Sequence, residues 1–260
     1  KSPYAKQWKD AADAEYRSLL DNDTWDLVDL PIGTNVVGNR CVFKIKQGVD
    51  GKIDRFKARL VAQGFSQEPG KDFHEVFAPV ARYSSIRSVL AISNQLNLHV
   101  HQMDVKSAFL NGTLDEEIYM RQPDGYIVKD KPDMVCRLKK SLYGLKQSAR
   151  CWNLVIDDFL KSNNYVQNTA DPCIYSKSVK KDGKDVLIIL AIYVDDTIIA
   201  SNDIDILNGE KVKLKESFEM DDRGEVHHLL GMRIKRNRKC RELSIDQSTY
   251  LNDVLKRFGM

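Results

Sequence analysis

Two adjacent aspartates, Asp195 and Asp196, have the surroundings in this sequence that most clearly indicate chemistry. The largely apolar segments 187–194 and 197–200 flank them, which predicts that the pair lies at the turn of a buried β-hairpin. Two like charges beside an apolar sheet repel each other and lose hydration unless a cation is bound there. The pair is therefore a candidate metal site.

An ordinary polar turn is the alternative explanation for such a pair. Two other Asp-Asp dipeptides, 157–158 and 221–222, lack strongly apolar flanks on both sides, and we interpret both as solvated surface. A third carboxylate favours the metal site, because Asp104 lies at the end of the predicted strand 99–105. Two carboxylate-bearing strand ends in one sheet could hold a pair of Mg²⁺ ions, which stabilise the attacking and leaving oxygens of a phosphoryl displacement.

Basic residues cluster in a predicted hairpin over 40–62, with its turn at Asp50-Gly51. Residues 40–59 carry seven basic side chains against two acidic ones. Strand alternation predicts that one face holds most of the basic side chains, namely Lys44, Lys46, Arg55, Lys57 and Arg59. Like charges opposite one another destabilise a bare ladder, so a bound polyanion would relieve their repulsion. A solvated edge ribbon protected by lysines is the alternative.

Hydrophobic periodicity and turn residues predict the elements that position these groups. Helices are predicted at 3–20, 84–98, 145–163, 204–218 and 248–258. Strands are predicted at 99–105, 117–121, 134–139, 173–178, 226–235 and 241–245, in addition to the hairpins at 40–62 and 186–201. Mixed helices, strands and hairpins indicate an α+β fold.

Composition excludes several classes of protein. A content of 42% hydrophobic residues in a chain of 260 is enough for a buried core. The longest apolar run, 186–194, has nine residues and is too short to span a bilayer. Five cysteines without a CxxC motif are typical of free thiols in a reducing compartment. The chain starts with neither a methionine nor a signal peptide, so we expect a piece of a longer polypeptide.

The net charge of +3 argues on its own against a nucleic-acid partner. Resolved along the chain, the charge separates into opposed stretches. Residues 137–150 and 233–241 contain basic side chains and no acidic ones, whereas 10–29 is strongly acidic. Concentrated basic surface of this kind predicts a nucleic-acid groove.

Three longer motifs resemble a known family. They are Gln-Met-Asp-Val-Lys-Ser-Ala-Phe-Leu-Asn-Gly at 102–112, Ser-Leu-Tyr-Gly-Leu-Lys-Gln-Ser at 141–148 and Tyr-Val-Asp-Asp at 193–196. The sequence is similar to the reverse transcriptase of copia-type (pseudovirus) LTR retrotransposons, and the resemblance covers nearly the whole chain. It implies the fingers and palm of a right-hand polymerase, with a ferredoxin-like antiparallel sheet in the palm and an incomplete or absent thumb.

The resemblance also implies a division of the chain into domains. The N-terminal segment and the fingers would occupy 1–98, with a second part of the fingers at 113–145. The palm would comprise 99–112, which contains the first catalytic strand, and 146–240. Residues 241–260 would begin the thumb or connection.

Individual roles follow from the same resemblance. Asp104, Asp195 and Asp196 would be catalytic and, with Val105, would bind two Mg²⁺ ions, for which Mn²⁺ could substitute. The implied dNTP-binding residues are Lys57, Arg59, Ala108, Phe109, Tyr143 and Gly144. The implied template or primer contacts are Lys44, Lys46, Lys146, Gln147, Arg150 and Tyr193.

Several of these residues have structural alternatives. Phe109 would crowd the sugar 2′ position according to the resemblance, whereas the residue by itself favours a core aromatic. Tyr143 could stack on a base or simply pack, and the missing Cβ of Gly144 would let backbone approach template or nucleotide. Whether Lys57 or Arg59 faces the triphosphate is left open by one residue of register.

The implied function is RNA-directed DNA polymerase, which transfers nucleotides from dNTPs to a primer 3′-OH on an RNA or DNA template. No membrane partner is expected. The rest of the polyprotein, with ribonuclease H and integrase, is expected as a partner. The implied location is a cytoplasmic virus-like particle, with the nucleus as an alternative. A catalytically silent nucleic-acid-binding remnant is the alternative function, favoured by departures from the family pattern at Ala149 and Asp221. A metal-dependent nuclease is a third hypothesis.

Overall fold

The computed structural model describes residues 2–47 and 52–260. Within these residues the protein is a mixed α/β structure with five α-helices and fifteen strands. The predicted Asp50-Gly51 turn lies outside the described residues. The chain divides into two compact units, the first formed by Lys1–Ala78 and Ala108–Ile156 and the second by Pro79–Ser107 and Asp157–Met260.

The first unit contains a four-stranded sheet and a separate two-stranded hairpin. Its elements are α1 (Ala5–Asp21), β1 (Trp25–Val28), β2 (Val36–Val37), β3 (Asn39–Gln47), β4 (Ile53–Ala62), β6 (Thr113–Met120) and β7 (Val135–Lys140). The sheet order is β1-β7-β6-β2, and β3 pairs with β4. Helix α1 packs on the hairpin because its Trp8 ring meets Phe43 and Phe56 at centroid distances of 5.3 and 4.5 Å. The apolar face of the predicted hairpin is thus partly covered by a helix, although Phe43 stays 48% exposed.

The second unit is built on a six-stranded antiparallel sheet of order β12-β5-β11-β10-β9-β8. Its elements are α2 (Tyr83–Gln95), β5 (His99–Val105), β8 (Val166–Gln167), β9 (Ile174–Lys181), β10 (Lys184–Tyr193), β11 (Asp196–Ser201), α4 (Ile204–Ser217), β12 (Met220–Glu225), β13 (His228–Leu229), β14 (Met232–Asn237), β15 (Glu242–Asp246) and α5 (Ser248–Arg257). Helix α3 (Ser148–Ser162) begins in the first unit and ends in the second.

The core of the second unit explains why the apolar run of β10 is buried. Ile189 and Ala191 of β10 share one buried cluster with Ile198 of β11 and with Ile86 and Leu90 of α2. The burial of these side chains fixes the position of the β10–β11 hairpin, and with it the aspartates at the turn.

All five helices lie close to their predicted spans, and so do the hairpins. Four short or polar strands, β1, β2, β8 and β12, were not predicted. The sequence of β12, Met-Asp-Asp-Arg-Gly-Glu, has neither alternating apolar residues nor β-branched side chains. It becomes a strand because it pairs with β5 at the sheet edge.

No helix in the described part of the chain is long and apolar enough to cross a membrane. All five cysteines lie in this part and are free thiols, as predicted. Burial raises the pKa of the Cys136 and Cys173 thiols to about 12.

Candidate active site

A row of carboxylates crosses three adjacent strands of the second unit. Asp196 on β11 is the register partner of Asp104 on β5, and Asp104 is in turn the partner of Asp221 on β12. Directly opposed residues of an antiparallel pair place their side chains on the same face of the sheet. Asp221, Asp104 and Asp196 therefore line one face. The Asp221 side chain is 42% exposed, as the sequence predicted, and it also lies beside the candidate site.

The third predicted carboxylate, Asp195, lies in the turn that joins β10 to β11. Tyr193 pairs with Asp196 across this hairpin, so Val194 and Asp195 form a two-residue turn. Val194 adopts a left-handed φ of 58°, a strained conformation for a β-branched residue. The Val105 N–H donates to the Asp195 carbonyl oxygen at 2.9 Å, which ties the turn to the end of β5.

The electrostatics of Asp196 reflect its neighbours. Burial raises the pKa of the Asp196 carboxyl, a hydrogen bond from Gln102 opposes this shift, and the carboxylates of Asp195 and Asp104 raise the pKa further. The Gln102 Nε2 donates to Asp196 Oδ1 at 2.9 Å. The carboxylates are thus close enough to repel one another, and the like-charge repulsion expected from the sequence is present.

These donors fit a divalent metal ion by their chemistry, because Mg²⁺ prefers hard carboxylate oxygens. Their side chains do not enclose one: among the described residues, no three His, Cys, Asp or Glu side chains are grouped so that they could hold a metal ion. The Asp104 Oδ2 instead accepts a hydrogen bond from the Arg223 guanidinium at 2.9 Å. An open groove of about 370 Å³ adjoins Asp104, Asp196 and Arg223.

In the first unit, the β3–β4 register agrees with the predicted basic face. Lys44 pairs with Lys57 and Lys46 with Arg55, so these side chains share one face of the hairpin. The pKa of Lys57 is lowered by burial and by the neighbouring charges of Arg59, Arg55 and Lys46. A lysine whose charge is disfavoured by other cations lies in a strongly positive potential, which would attract an anion.

Three of the implied nucleotide residues form one cluster in this unit. The Arg59 guanidinium lies over the Tyr143 ring, 4.3 Å from its centroid. The Phe109 ring meets Tyr143 edge-on at 4.6 Å. Phe109 lies in a 3₁₀ turn, Ala108–Asn111, and its carbonyl oxygen accepts a hydrogen bond from the Ser141 hydroxyl. Ala108 itself is buried.

The glycine after Tyr143 has a packing role that the sequence did not show. Gly144 has a φ of +95°, and a Cβ there would come within 2.1 Å of the Ala62 carbonyl oxygen. The Ala62 N–H also donates to the Tyr143 carbonyl oxygen at 2.7 Å. The missing Cβ therefore admits the end of β4, and the approach of this backbone to template or nucleotide stays a prediction.

Gln147, an implied template contact, is buried in a polar network. Its side chain is 2% exposed and its Nε2 donates to the Asp72 carbonyl oxygen at 2.8 Å and to Glu116 at 3.1 Å. Its Oε1 accepts from Gln67 at 3.0 Å. With both ends of the amide occupied inside the protein, Gln147 has a structural role, and its template contact stays a prediction.

The other implied template contacts are at least partly accessible. Lys44 and Lys46 are exposed, whereas Tyr193 is half-buried. The Lys146 ammonium lies over the Phe73 ring at 4.5 Å. Arg150 forms an ion pair of 2.8 Å with Glu75.

Comparison with known sequences identifies the family. A family model described as "Reverse transcriptase (RNA-dependent DNA polymerase)" matches residues 22–260. The chain belongs to the reverse transcriptase family. It is similar to the "Retrovirus-related Pol polyprotein from transposon TNT 1-94" of Nicotiana tabacum, with 45% identity over 99% of this chain and 19% of the relative.

Two further relatives of this reverse transcriptase domain are also transposon polyproteins. The "Retrovirus-related Pol polyprotein from transposon RE1" of Arabidopsis thaliana is 39% identical over 98% of this chain and 17% of the relative. The "Transposon Ty1-BR Gag-Pol polyprotein" of Saccharomyces cerevisiae is 29% identical over 94% of this chain. The predicted resemblance to copia-type elements is confirmed, and the chain spans less than a fifth of the first relatives' length, at 19% and 17%.

Proposed function

We propose that this reverse transcriptase domain catalyses RNA-directed DNA synthesis. In that reaction the primer 3′-OH attacks the α-phosphate of a dNTP, a new P–O bond forms and pyrophosphate leaves. The observation that carries the proposal is the carboxylate row, in which Asp104 and Asp196 are register partners and Val105 holds the turn that contains Asp195.

The topology of the second unit supports its assignment as the palm. The elements β5, α3, β10, β11, α4 and β12 follow in chain order with other elements inserted. Four of them form the antiparallel strand order β12-β5-β11-β10, which is that of a ferredoxin-like sheet. The basic hairpin and the Tyr143 cluster support the assignment of the first unit to the fingers.

In this proposal Asp104, Asp195, Asp196 and Val105 would hold two Mg²⁺ ions. The bound ions would lower the pKa of the primer hydroxyl and neutralise the charge of the pyrophosphate. The hydrogen bond from the Val105 N–H to the Asp195 carbonyl oxygen ties the turn to the end of β5, so the backbone that carries the Asp195 carboxylate is preorganised.

The nucleotide is assigned to the cluster in the first unit. Arg59 offers a planar guanidinium for the triphosphate and is oriented by the Tyr143 ring. Lys57 adds charge to the same face. The Phe109 ring, braced by Tyr143, would leave no room for a ribose 2′-hydroxyl, which favours deoxynucleotides.

Primer extension on poly(rA)/oligo(dT) with Mg²⁺ tests the proposal. We expect the wild type to extend the primer and Asp195→Asn to lose about 100-fold or more of the rate. Asp158→Asn is the matched control, because Asp158 is an exposed aspartate of another Asp-Asp pair in the same unit. If Asp195→Asn extends as well as Asp158→Asn, the carboxylate assignment is wrong.

One observation favours the catalytically silent alternative, which is the ion pair between Arg223 and Asp104. A silent remnant would bind template and primer in a salt-dependent manner without incorporation, even with Mn²⁺. A nuclease would degrade the template in the same assay. The dNTPs and a primed template are the partners that the proposal requires; the ribonuclease H and integrase regions and the virus-like particle stay predictions.

A further inference from the structure

Arg223 is a cation beside the carboxylate row that the proposed chemistry does not use. The β5–β12 ladder shifts register between Asp222 and Gly224, so Arg223 is an extra residue in a β-bulge. Bulges re-aim a side chain, and this one brings the Arg223 guanidinium to the face that carries Asp104.

The bulge is firmly held in this arrangement. The Asp222 Oδ1 accepts a hydrogen bond from the Gly224 N–H at 2.9 Å, and its Oδ2 forms a 2.6 Å ion pair with the buried Lys211. Gly224 has a left-handed φ of 71°, which a glycine adopts at no steric cost. Because the backbone on both sides of Arg223 is fixed, the bulge directs the Arg223 side chain toward the carboxylates.

The same guanidinium nitrogen lies near two carboxylates. It is 2.9 Å from Asp104 Oδ2 and 3.8 Å from Asp221 Oδ2. A small rotation would therefore transfer Arg223 from Asp104 to Asp221 without loss of an ionic partner. The Arg223 and Asp104 side chains are 48% and 31% exposed, so the pair is accessible to ions.

We infer that Arg223 is a resident counter-cation of Asp104, which a divalent metal ion displaces and which then pairs with Asp221. The inference rests on the proposed function, because it assumes that Asp104 is a metal ligand. In the metal-free protein Arg223 offsets the repulsion within the carboxylate row. The cost is a weaker affinity for metal, since the ion must displace the 2.9 Å ion pair with Asp104, which the longer 3.8 Å contact with Asp221 replaces only in part.

Binding of Mn²⁺, measured as the loss of the free-ion signal in electron paramagnetic resonance, tests this without any turnover. We expect Arg223→Leu to lower the Kd for Mn²⁺ by about fivefold, the size of effect that a half-exposed ion pair supports. Arg223→Lys retains the cation and should keep the wild-type Kd. Arg223→Gln is a second neutral variant with a polar side chain, in case the leucine variant does not fold.

Lys235→Leu is the matched control for net charge. Lys235 is exposed on β14 of the same unit and forms no ion pair among the described residues. If Lys235→Leu tightens Mn²⁺ binding as much as Arg223→Leu, the effect is general electrostatics and the inference is overturned. It is equally overturned if the neutral variants at 223 bind Mn²⁺ no more tightly than the wild type.

Thermal unfolding provides a second readout. In EDTA, Arg223→Leu should unfold at a lower temperature than the wild type, because the carboxylate row loses its cation. Mn²⁺ should raise the unfolding temperature of this variant by more than it raises that of the wild type. Absence of Mn²⁺ binding in wild type and neutral variants alike would refute the metal site itself and the proposed function with it. Equal binding by all of them would refute only the role of Arg223.

Discussion

Replacement of Gly144 by alanine should lower the free energy of unfolding of the first unit and weaken nucleotide binding. The Cβ of alanine would lie 2.1 Å from the Ala62 carbonyl oxygen and 2.7 Å from Val61 Cγ1. One of these atoms belongs to the backbone of β4, so no side-chain rotation can relieve the contact. The backbone of the 142–145 turn and the end of β4 must move apart.

The magnitude has two parts. A φ of +95° costs an alanine about 1–2 kcal/mol that glycine does not lose. Forcing the neighbouring backbone apart adds about 1–3 kcal/mol, as in other overpacked sites. We therefore expect the free energy of unfolding to fall by about 2–5 kcal/mol. Gly125→Ala separates the two parts, because Gly125 has a φ of +83° and a Cβ added there would meet no atom within 4 Å.

Urea denaturation followed by tryptophan fluorescence is the appropriate assay. Trp8, Trp25 and Trp152 all lie in the first unit, so the signal reports on the unit that contains Gly144. The linear dependence of the unfolding free energy on urea concentration gives the stability of the Gly144→Ala and Gly125→Ala proteins in water. A loss for Gly144→Ala no greater than for Gly125→Ala would refute the packing argument.

The functional consequence follows from the same contact. The hydrogen bond from Ala62 to the Tyr143 carbonyl joins the end of β4 to the turn that carries Tyr143. When it breaks, Arg59 loses its position over the Tyr143 ring, so KM for the dNTP should rise more than kcat falls. An unchanged KM in a folded Gly144→Ala protein would show that the cluster does not orient the nucleotide.

Three further outcomes are expected. Asp196→Asn should raise the thermal stability of the metal-free protein at neutral pH, because a raised folded-state pKa means that the ionised carboxyl destabilises the fold. This gain in stability should vanish as the pH falls through that pKa. Thermal unfolding in EDTA at several pH values measures it. Gln147→Leu should lower the free energy of unfolding by about 1–3 kcal/mol, since buried partners lose their hydrogen bonds, and urea titration would contradict this if the midpoint did not move. Lys46→Ala should reduce the salt dependence of template binding by about one ion, whereas Arg236→Gln should leave that slope unchanged, as fluorescence anisotropy at several salt concentrations can establish.

The chain's local elements could be predicted from its sequence because they depend on local patterns. The apolar run of β10 and the helix periodicity at 84–98 are each complete within a few turns of chain. The Lys44–Lys57 register follows from alternation about a turn. The polar strand β12 could not be predicted in this way, because its pairing with β5 is a contact between residues more than a hundred positions apart.

The residues of the candidate site also differ in how far they could be predicted from local sequence. The aspartates at 104, 195 and 196 were evident from their flanking strands and from family motifs. Asp221 and Arg223 were missed as part of the site, since nothing in their local sequence indicates that a bulge on a neighbouring strand turns Arg223 toward Asp104. Gly144 was singled out correctly, but only its neighbour Ala62 shows what the missing Cβ admits.

The charge pattern illustrates the difference between a local property and a long-range one. Basic and acidic residues lie in separate stretches of the sequence. Folding pairs many of them: Arg137 and Lys139 bind Asp26, at 3.5 and 3.1 Å. In the 233–241 stretch, Arg236 donates to carbonyl oxygens of Ser93 and Leu98 at the end of α2 instead of facing solvent.

The basic face of the hairpin differs from these stretches. Lys44, Lys46, Arg55 and Lys57 form no ion pair among the described residues, so their charge stays available to an anion. Charge along a chain is a local property, whereas its neutralisation depends on which distant side chains the fold brings within about 4 Å. The sequence therefore specified the family, most of the elements and the aspartates, whereas long-range contacts in the folded protein select the charges that remain available to an anion.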